Sequence, residues 1–300
     1  MHNTRKDNAV CNLCGSSKSK RLFTVRSFNI VQCSNCGLVY LNPMPCLADI
    51  AKIYDTSDYY CNREFQGDAT FGYPDYRMLE SHLAFVADEI LRPIKYINPA
   101  RLLDVGCSMG IMLKRFRELG WDTYGVDIST YATEYARNKL GLKVFTGLIA
   151  DLDFPENFFD LVTMVLTIEH LPDPKGTLHA INQLMKPGAT LVVVTHDISG
   201  LWPRIVRSKW RHLNIPEHLH FFSRSTLQHM MKETGFSPFR VTETATVAAA
   251  TSDSSGLYAP INFLHRYSLL KYALPLLRSV HAINRAINLS DGVTLYSQKL

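Results

Sequence analysis

From residue 100 onward, short apolar runs alternate with longer stretches in which apolar residues recur every three or four positions. The short runs at 102–105, 123–126, 143–146, 159–166 and 190–195 predict strands. Between them, 111–119, 130–140 and 175–185 carry helical periodicity, the second behind a Ser129 cap and before Gly141. The run 159–166 is apolar on both faces, as a buried parallel strand is. This alternation predicts a parallel α/β sheet, with ligands beyond the carboxyl ends of its strands. Further on, 226–234 predicts a helix, 241–250 a sixth strand and 292–299 a seventh, which leaves 251–290 as an insertion. Pro275 divides that insertion into two apolar helices, with Lys271, Arg278 and Arg285 on one stripe. A basic amphipathic segment at 261–288 suits a roof over a site, a dimer contact or an anionic membrane surface. Ahead of the sheet, apolar residues at 79, 83, 86, 87, 90 and 91 predict a helix that packs on the first strand.

Composition narrows the class without naming a partner. With 300 residues, 46% hydrophobic and 20% charged, the chain is long and apolar enough to bury a large core. A formal charge of +5 permits an anionic small molecule, nucleic acid or an acidic membrane, and selects none of them. Residues 1–8 lack the apolar core of a signal peptide, and no run of eighteen apolar residues occurs. The expected location is cytoplasmic, with the insertion as a means of touching the inner face of a membrane. The oligomeric state is left open.

Four of the seven cysteines form two near-copies, Cys11-x-x-Cys14-Gly15 and Cys33-x-x-Cys36-Gly37. In a reducing compartment such pairs favour a metal thiolate over disulfides, and four thiolates close the tetrahedron of a structural Zn2+ ion. Cys46, Cys61 and Cys107 stand outside that pattern. The expected division is therefore a zinc ribbon at 1–45, a tyrosine-rich connector or lid at 46–98, an α/β domain at 99–250, the helical insertion at 251–290 and a last strand at 291–300.

The sharpest chemical signal is Asp104-Val-Gly106-Cys-Ser-Met-Gly110, where a strand runs through an acid into a glycine turn. A second strand ends in Asp127, at the spacing of a ribose-binding carboxylate. A dinucleotide fingerprint wants glycines at 106, 108 and 111; Ser108 and Ile111 argue against a pyrophosphate there. With Phe159-Asp160, Glu169-His170 and Lys186-Pro-Gly188, these residues resemble the class I S-adenosylmethionine-dependent methyltransferases, whose usual loop is Asp-x-Gly-x-Gly-x-Gly. The resemblance implies a Rossmann-like seven-stranded sheet and S-adenosylmethionine as co-substrate. It assigns the methionine end to the loop with Asp104, Gly106, Cys107 and Gly110, the ribose to Asp127 with Ile128 beside it, and the adenine to Leu148. By the same resemblance, Tyr60 and Tyr59 match a tyrosine-rich segment expected to close over the methionine end. The subgroup with an N-terminal zinc ribbon modifies sugars, which implies a small-molecule or carbohydrate-type hydroxyl acceptor in glycan or natural-product biosynthesis.

Two later stretches are candidates for the acceptor. Residues 202–211 carry Arg204, Arg207, Lys209 and Arg211 together with Trp202 and Trp210, a set able to grip an anionic acceptor such as a nucleotide-linked sugar, or to form a solvated face. Methyl transfer needs alignment above all, and a hydroxyl must also lose its proton. Histidine is poised for that near neutral pH, and the order of expectation is His220, His218, then His170. The first two share a side if the segment is extended. Two other functions fit parts of the sequence: a ribosomal-RNA methyltransferase that docks through the ribbon, which this modestly basic ribbon favours less, and a non-catalytic cofactor-binding module.

Overall fold

The computed structural model describes residues 9–61, 75–94, 100–243 and 292–300. The expected insertion at 251–290, with its membrane-facing segment 261–288, and residues 244–250 of the expected sixth strand lie outside the described residues.

The central sheet is built from β4 (Arg101–Val105), β5 (Asp122–Asp127), β6 (Lys143–Thr146), β7 (Phe159–Val165), β8 (Met185–His196), β10 (Phe236–Glu243) and β11 (Gly292–Lys299). Their order is β10-β11-β8-β7-β4-β5-β6. β11 runs antiparallel to both its neighbours, while β4 to β8 pair in parallel. This is the mostly parallel seven-stranded architecture that the strand–helix alternation predicts. Leu102, Leu103, Leu161, Val162 and the run from Leu191 to Val194 are almost fully buried, because helices cover both faces of a parallel sheet. On one face lie α3 (Glu80–Leu91) and α4 (Ile111–Glu118), where Val86, Ile90 and Phe116 pack on Leu102 and Leu161. The other carries α6 (Pro174–Leu184) and α8 (Arg224–Glu233), whose Leu178, Ile181, Leu227 and Met230 meet Val162 and Val193. α5 (Thr130–Leu140) begins at Ser129, whose side chain accepts from the Ala132 amide as a helix cap does. Ser223 caps α8 in the same way, and Gly235, at φ 83°, turns the chain straight into β10. The sixth strand therefore starts at Phe236, five residues before the expected 241.

At the N-terminus, β1 (Ser19–Val25), β2 (Phe28–Cys33) and β3 (Val39–Leu41) form the ribbon. Its edge is covered by β9 (His220–Phe221), a short strand from far along the chain. Val39 pairs with Phe221 and Tyr40 with His220, and the Leu41 amide donates to the Leu219 carbonyl at 2.9 Å. β3 is buried throughout, so its second edge needs a partner. The ribbon sheet thus crosses the sequence boundary expected at residue 45. Asn12 further ties the ribbon to the start of α6, donating to Asp173 at 2.7 Å and accepting from the Lys175 amide at 2.9 Å.

Between ribbon and sheet lie α1 (Leu47–Tyr54) and α2 (Ser57–Cys61). After β8 comes α7 (Leu201–Val206). No helix among the described residues is long and apolar enough to cross a membrane.

Candidate active site

The turn after β4 is shaped by three consecutive left-handed positions at every second residue. Gly106, Ser108 and Gly110 have φ of 77°, 52° and 75°. Ser108 therefore takes the backbone conformation that glycine usually supplies, which accounts for its place in the motif. Gly106 is required for a second reason: a Cβ there would lie 2.3 Å from Oγ1 of Thr167, on the loop after β7. Asp127 holds the turn in place. Its Oδ2 accepts from the Ser108 amide and its Oδ1 from the Ser129 amide, each at 2.9 Å. Burial raises its carboxyl, and these amides oppose that shift. Asp104 is buried and accepts one bond, from Thr163 Oγ1 at 2.7 Å; burial pushes it up to about 7.

These residues border a cavity of about 500 Å³ beyond the carboxyl ends of β4, β5 and β7. Asp104, Gly106, Cys107, Asp127, Ile128, Leu148 and Tyr60 all line it. Gly110 does not: it sits at the start of α4, where a Cβ would meet Leu142 and Ala136. The cavity's other wall is aromatic. Tyr60 stacks on Tyr131 with centroids 5.6 Å apart and meets Tyr59 and Tyr76 edge-on. Asp55 anchors this wall by accepting from the Thr130 amide, at the start of α5, at 2.8 Å. A buried carboxyl with a single partner at one end, an acid on the second strand and an apolar shelf at Leu148 and Ile149 fit the ammonium, ribose and adenine of S-adenosylmethionine.

The three candidate histidines part company. His170 lines the cavity, and its Nδ1 lies 2.7 Å from the Tyr54 hydroxyl and 3.1 Å from the Glu217 carbonyl. Burial brings it down to about 4. His218 sits behind it, ring centroids 4.6 Å apart, with Nδ1 2.8 Å from the His212 carbonyl. His220 is outside the cavity, buried beside Tyr40 and Phe222, because β9 pairing turns it toward the ribbon. His218 and His220 therefore do not share a side, and of the three only His170 lines the cavity. The basic stretch also divides: Trp202 and Ile205 are half-exposed or more, Trp210 is buried beside His196 and His212, and none of residues 202–211 lines the cavity.

Around His218 stand His196 and His212, which no sequence motif marks, and two glutamates whose burial the sequence does not show. His196 stacks on His212 at 3.7 Å, and Glu169 and Glu217 are buried with one oxygen each lacking a partner. Burial pushes these carboxyls up to about 7 and about 8. The available signal was the placement of His196 at the carboxyl end of β8 and of Glu169 and His170 in the loop that follows β7.

In the ribbon, the four sulfurs of Cys11, Cys14, Cys33 and Cys36 lie within 4.8 Å of one another, with Cys11–Cys36 at 3.4 Å and Cys14–Cys33 at 3.5 Å. Four bonds of about 2.3 Å to one ion place sulfurs about 3.8 Å apart, so the group fits zinc. Both knuckles fold alike: Gly15 and Gly37, at φ 70° and 82°, donate back to the Cys11 and Cys33 carbonyls.

This sheet order, with an acid and a glycine turn after its first parallel strand, defines a class I methyltransferase fold. Residues 78–240, just over half of the chain, match the family model described as a methyltransferase domain, and the chain belongs to that family. Its co-substrate is S-adenosylmethionine. The chain is 35% identical over 116 residues to the ubiquinone biosynthesis O-methyltransferase of Alkalilimnicola ehrlichii, covering 36% of this chain and 46% of that protein. It is 29% identical over 166 residues to the protein of the same name from Methylococcus capsulatus, covering 48% and 70%. It spans about half the length of most of these curated relatives. Among solved structures, an Archaeoglobus fulgidus S-adenosylmethionine-dependent methyltransferase has a TM-score of 0.52 at 19% identity, covering 75% of this chain and 99% of that one. A chain from the complex between the Haloferax volcanii Trm112 methyltransferase activator and a methyltransferase has a TM-score of 0.54 at 17% identity, covering 74% and 92%.

Proposed function

We propose that the protein transfers a methyl group from S-adenosylmethionine to a hydroxyl of an uncharged, largely apolar small molecule. The carrying observation is a single cavity with the Asp104–Asp127 turn on one side and His170 with a tyrosine wall on the other. The co-substrate, when bound, supplies an electrophilic methyl group; the chain's task is to align it and keep water out. Asp104 faces the cationic end, Asp127 the ribose, and Leu148 with Ile149 the adenine. Tyr59, Tyr60 and Tyr76 exclude water and offer flat apolar surface to the acceptor. Through His170 the acceptor hydroxyl loses its proton. Among the described residues the cavity lining is tyrosine and aliphatic side chains without lysine or arginine, which supports an uncharged acceptor with apolar surface. The O-methyltransferase names of the relatives support oxygen as the acceptor atom.

The test is methyl transfer by the full chain to a panel of hydroxylated aromatic and sugar acceptors. His170→Ala is expected to lower kcat by about 10²- to 10⁴-fold with co-substrate affinity unchanged. Methylation of nitrogen alone, or a His170→Ala variant with normal kcat, would sink the proposal.

A further inference from the structure

Behind the cavity wall, Glu169, His170 and His218 each offer one donor atom, and these atoms lie within 4.8 Å of one another. The hydrogen bonds fix which atoms are available. His170 Nδ1 bonds the Glu217 carbonyl and His218 Nδ1 the His212 carbonyl. A carbonyl can only accept, so Nδ1 carries the proton in His218 and its Nε2 keeps its lone pair; His170 Nδ1 has the Tyr54 hydroxyl at 2.7 Å beside it as well, and takes the same form when that hydroxyl also accepts. That pattern, one ring nitrogen tied to a backbone carbonyl and the other left with its lone pair, is how proteins orient metal-bound histidines. Glu169 is 1% exposed; its Oε2 accepts from Thr195 at 2.9 Å, while Oε1 is buried with no partner. Among the described residues no lysine or arginine reaches Glu169; the nearest basic group is His196, 3.9 Å away. The segment bearing His218 is fixed to the same place, since the Leu219 amide donates to the Glu169 carbonyl at 2.8 Å.

We propose that Glu169, His170 and His218 bind a divalent first-row transition ion, at a site separate from the four cysteines. Two imidazoles and one carboxylate suit zinc, iron, manganese or cobalt, whereas calcium and magnesium prefer oxygen alone. Ligands on one ion at about 2.1 Å lie at most about 4.2 Å apart, so small side-chain rotations complete the site. The ion gives the buried Oε1 its missing partner. It deepens the role given to His170 above and rests on that reading only for its function: the residue then acts on the acceptor hydroxyl through a bound cation.

The experiment is Co2+ loading of the full-length protein, with ions per chain counted by native mass spectrometry and the spectrum recorded. Thiolate-bound Co2+ has an intense sulfur-to-metal charge-transfer band that nitrogen and oxygen ligands do not produce, so the two sites are counted separately. Two ions per chain are expected in the wild type, one without thiolate character. Glu169→Gln and His218→Gln should each weaken that second ion by at least about a hundredfold and leave the thiolate band intact. A wild type saturating at one thiolate-bound ion overturns the proposal, as does a second ion retained by both variants; neither result needs the variants to be active. If Co2+ fails to bind while His170→Ala still abolishes methyl transfer, His170 takes the proton itself and the methyltransferase reading stands.

Discussion

The thiol cluster of the ribbon and the carboxylate–histidine cluster behind the cavity are joined by one pair of strands, β3 and β9, yet they are assembled in opposite ways. The four cysteines come from two short loops, each closed by its own glycine. The second cluster draws Glu169 and His170 from the loop after β7, His196 from the end of β8, and His212 and His218 from the loop that becomes β9. The first is a product of local geometry; the second exists because the ribbon edge captures β9 and carries His218 to the sheet. The ribbon is thus part of the scaffold of the cavity wall that carries His170, and loss of its metal should be felt there.

The largest expected effect breaks that link. Cys33→Ser, or chelation of the ribbon metal, should unfold the ribbon, because structural zinc contributes on the order of 10 kcal/mol to a segment of this size. With β3 gone, β9 loses its partner and methyl transfer should fall more than about a hundredfold; an early thermal transition together with the activity assay checks this. Normal turnover in a chelated protein would show that the two clusters are independent.

Next in size is Asp104→Asn. The folded carboxyl titrates at about 7 against 3.8 unfolded, so the native state holds the proton more tightly between these values. Stability is therefore lost as pH rises through that window, by at most about 4 kcal/mol, and the amide removes the loss. Urea midpoints of the two proteins, compared at pH 4 and pH 8, should diverge in favour of the variant at the higher pH. Asp127→Ala should cost about 3 kcal/mol of co-substrate affinity by calorimetry, since it leaves the Ser108 and Ser129 amides without their acceptor. Gly106→Ala should destabilise by about 2 kcal/mol, with part restored in the Gly106→Ala, Thr167→Ala double variant, because the clash is with that side chain. Smallest is Tyr60→Leu, which removes the stack on Tyr131 and should lower co-substrate affinity by only a few-fold, about 1 kcal/mol.

Much of the fold was legible because period and punctuation are local. Apolar runs marked five parallel strands, Ser129 and Gly141 bounded a helix, and the Asp104 and Asp127 spacing marked two strand ends that border the cavity. The sixth strand begins five residues before the expected 241, because Gly235, just past the end of α8, turns the chain directly into it. His218 and His220 were grouped by alternation, which holds only within a strand; His218 lies in the turn before β9.

By itself the sequence determined the four thiolate ligands, the alternating α/β order and the glycine turn with its two acids. Each of these depends on residues a few positions apart, whose backbone geometry is set by their own chemistry. Only the tertiary structure decided which histidine borders the cavity, that Glu169 and Glu217 are buried, and that a strand from residue 220 completes the ribbon. Those facts depend on contacts between segments up to about two hundred residues apart, chosen by which edges and faces remain to be covered once the local elements have formed.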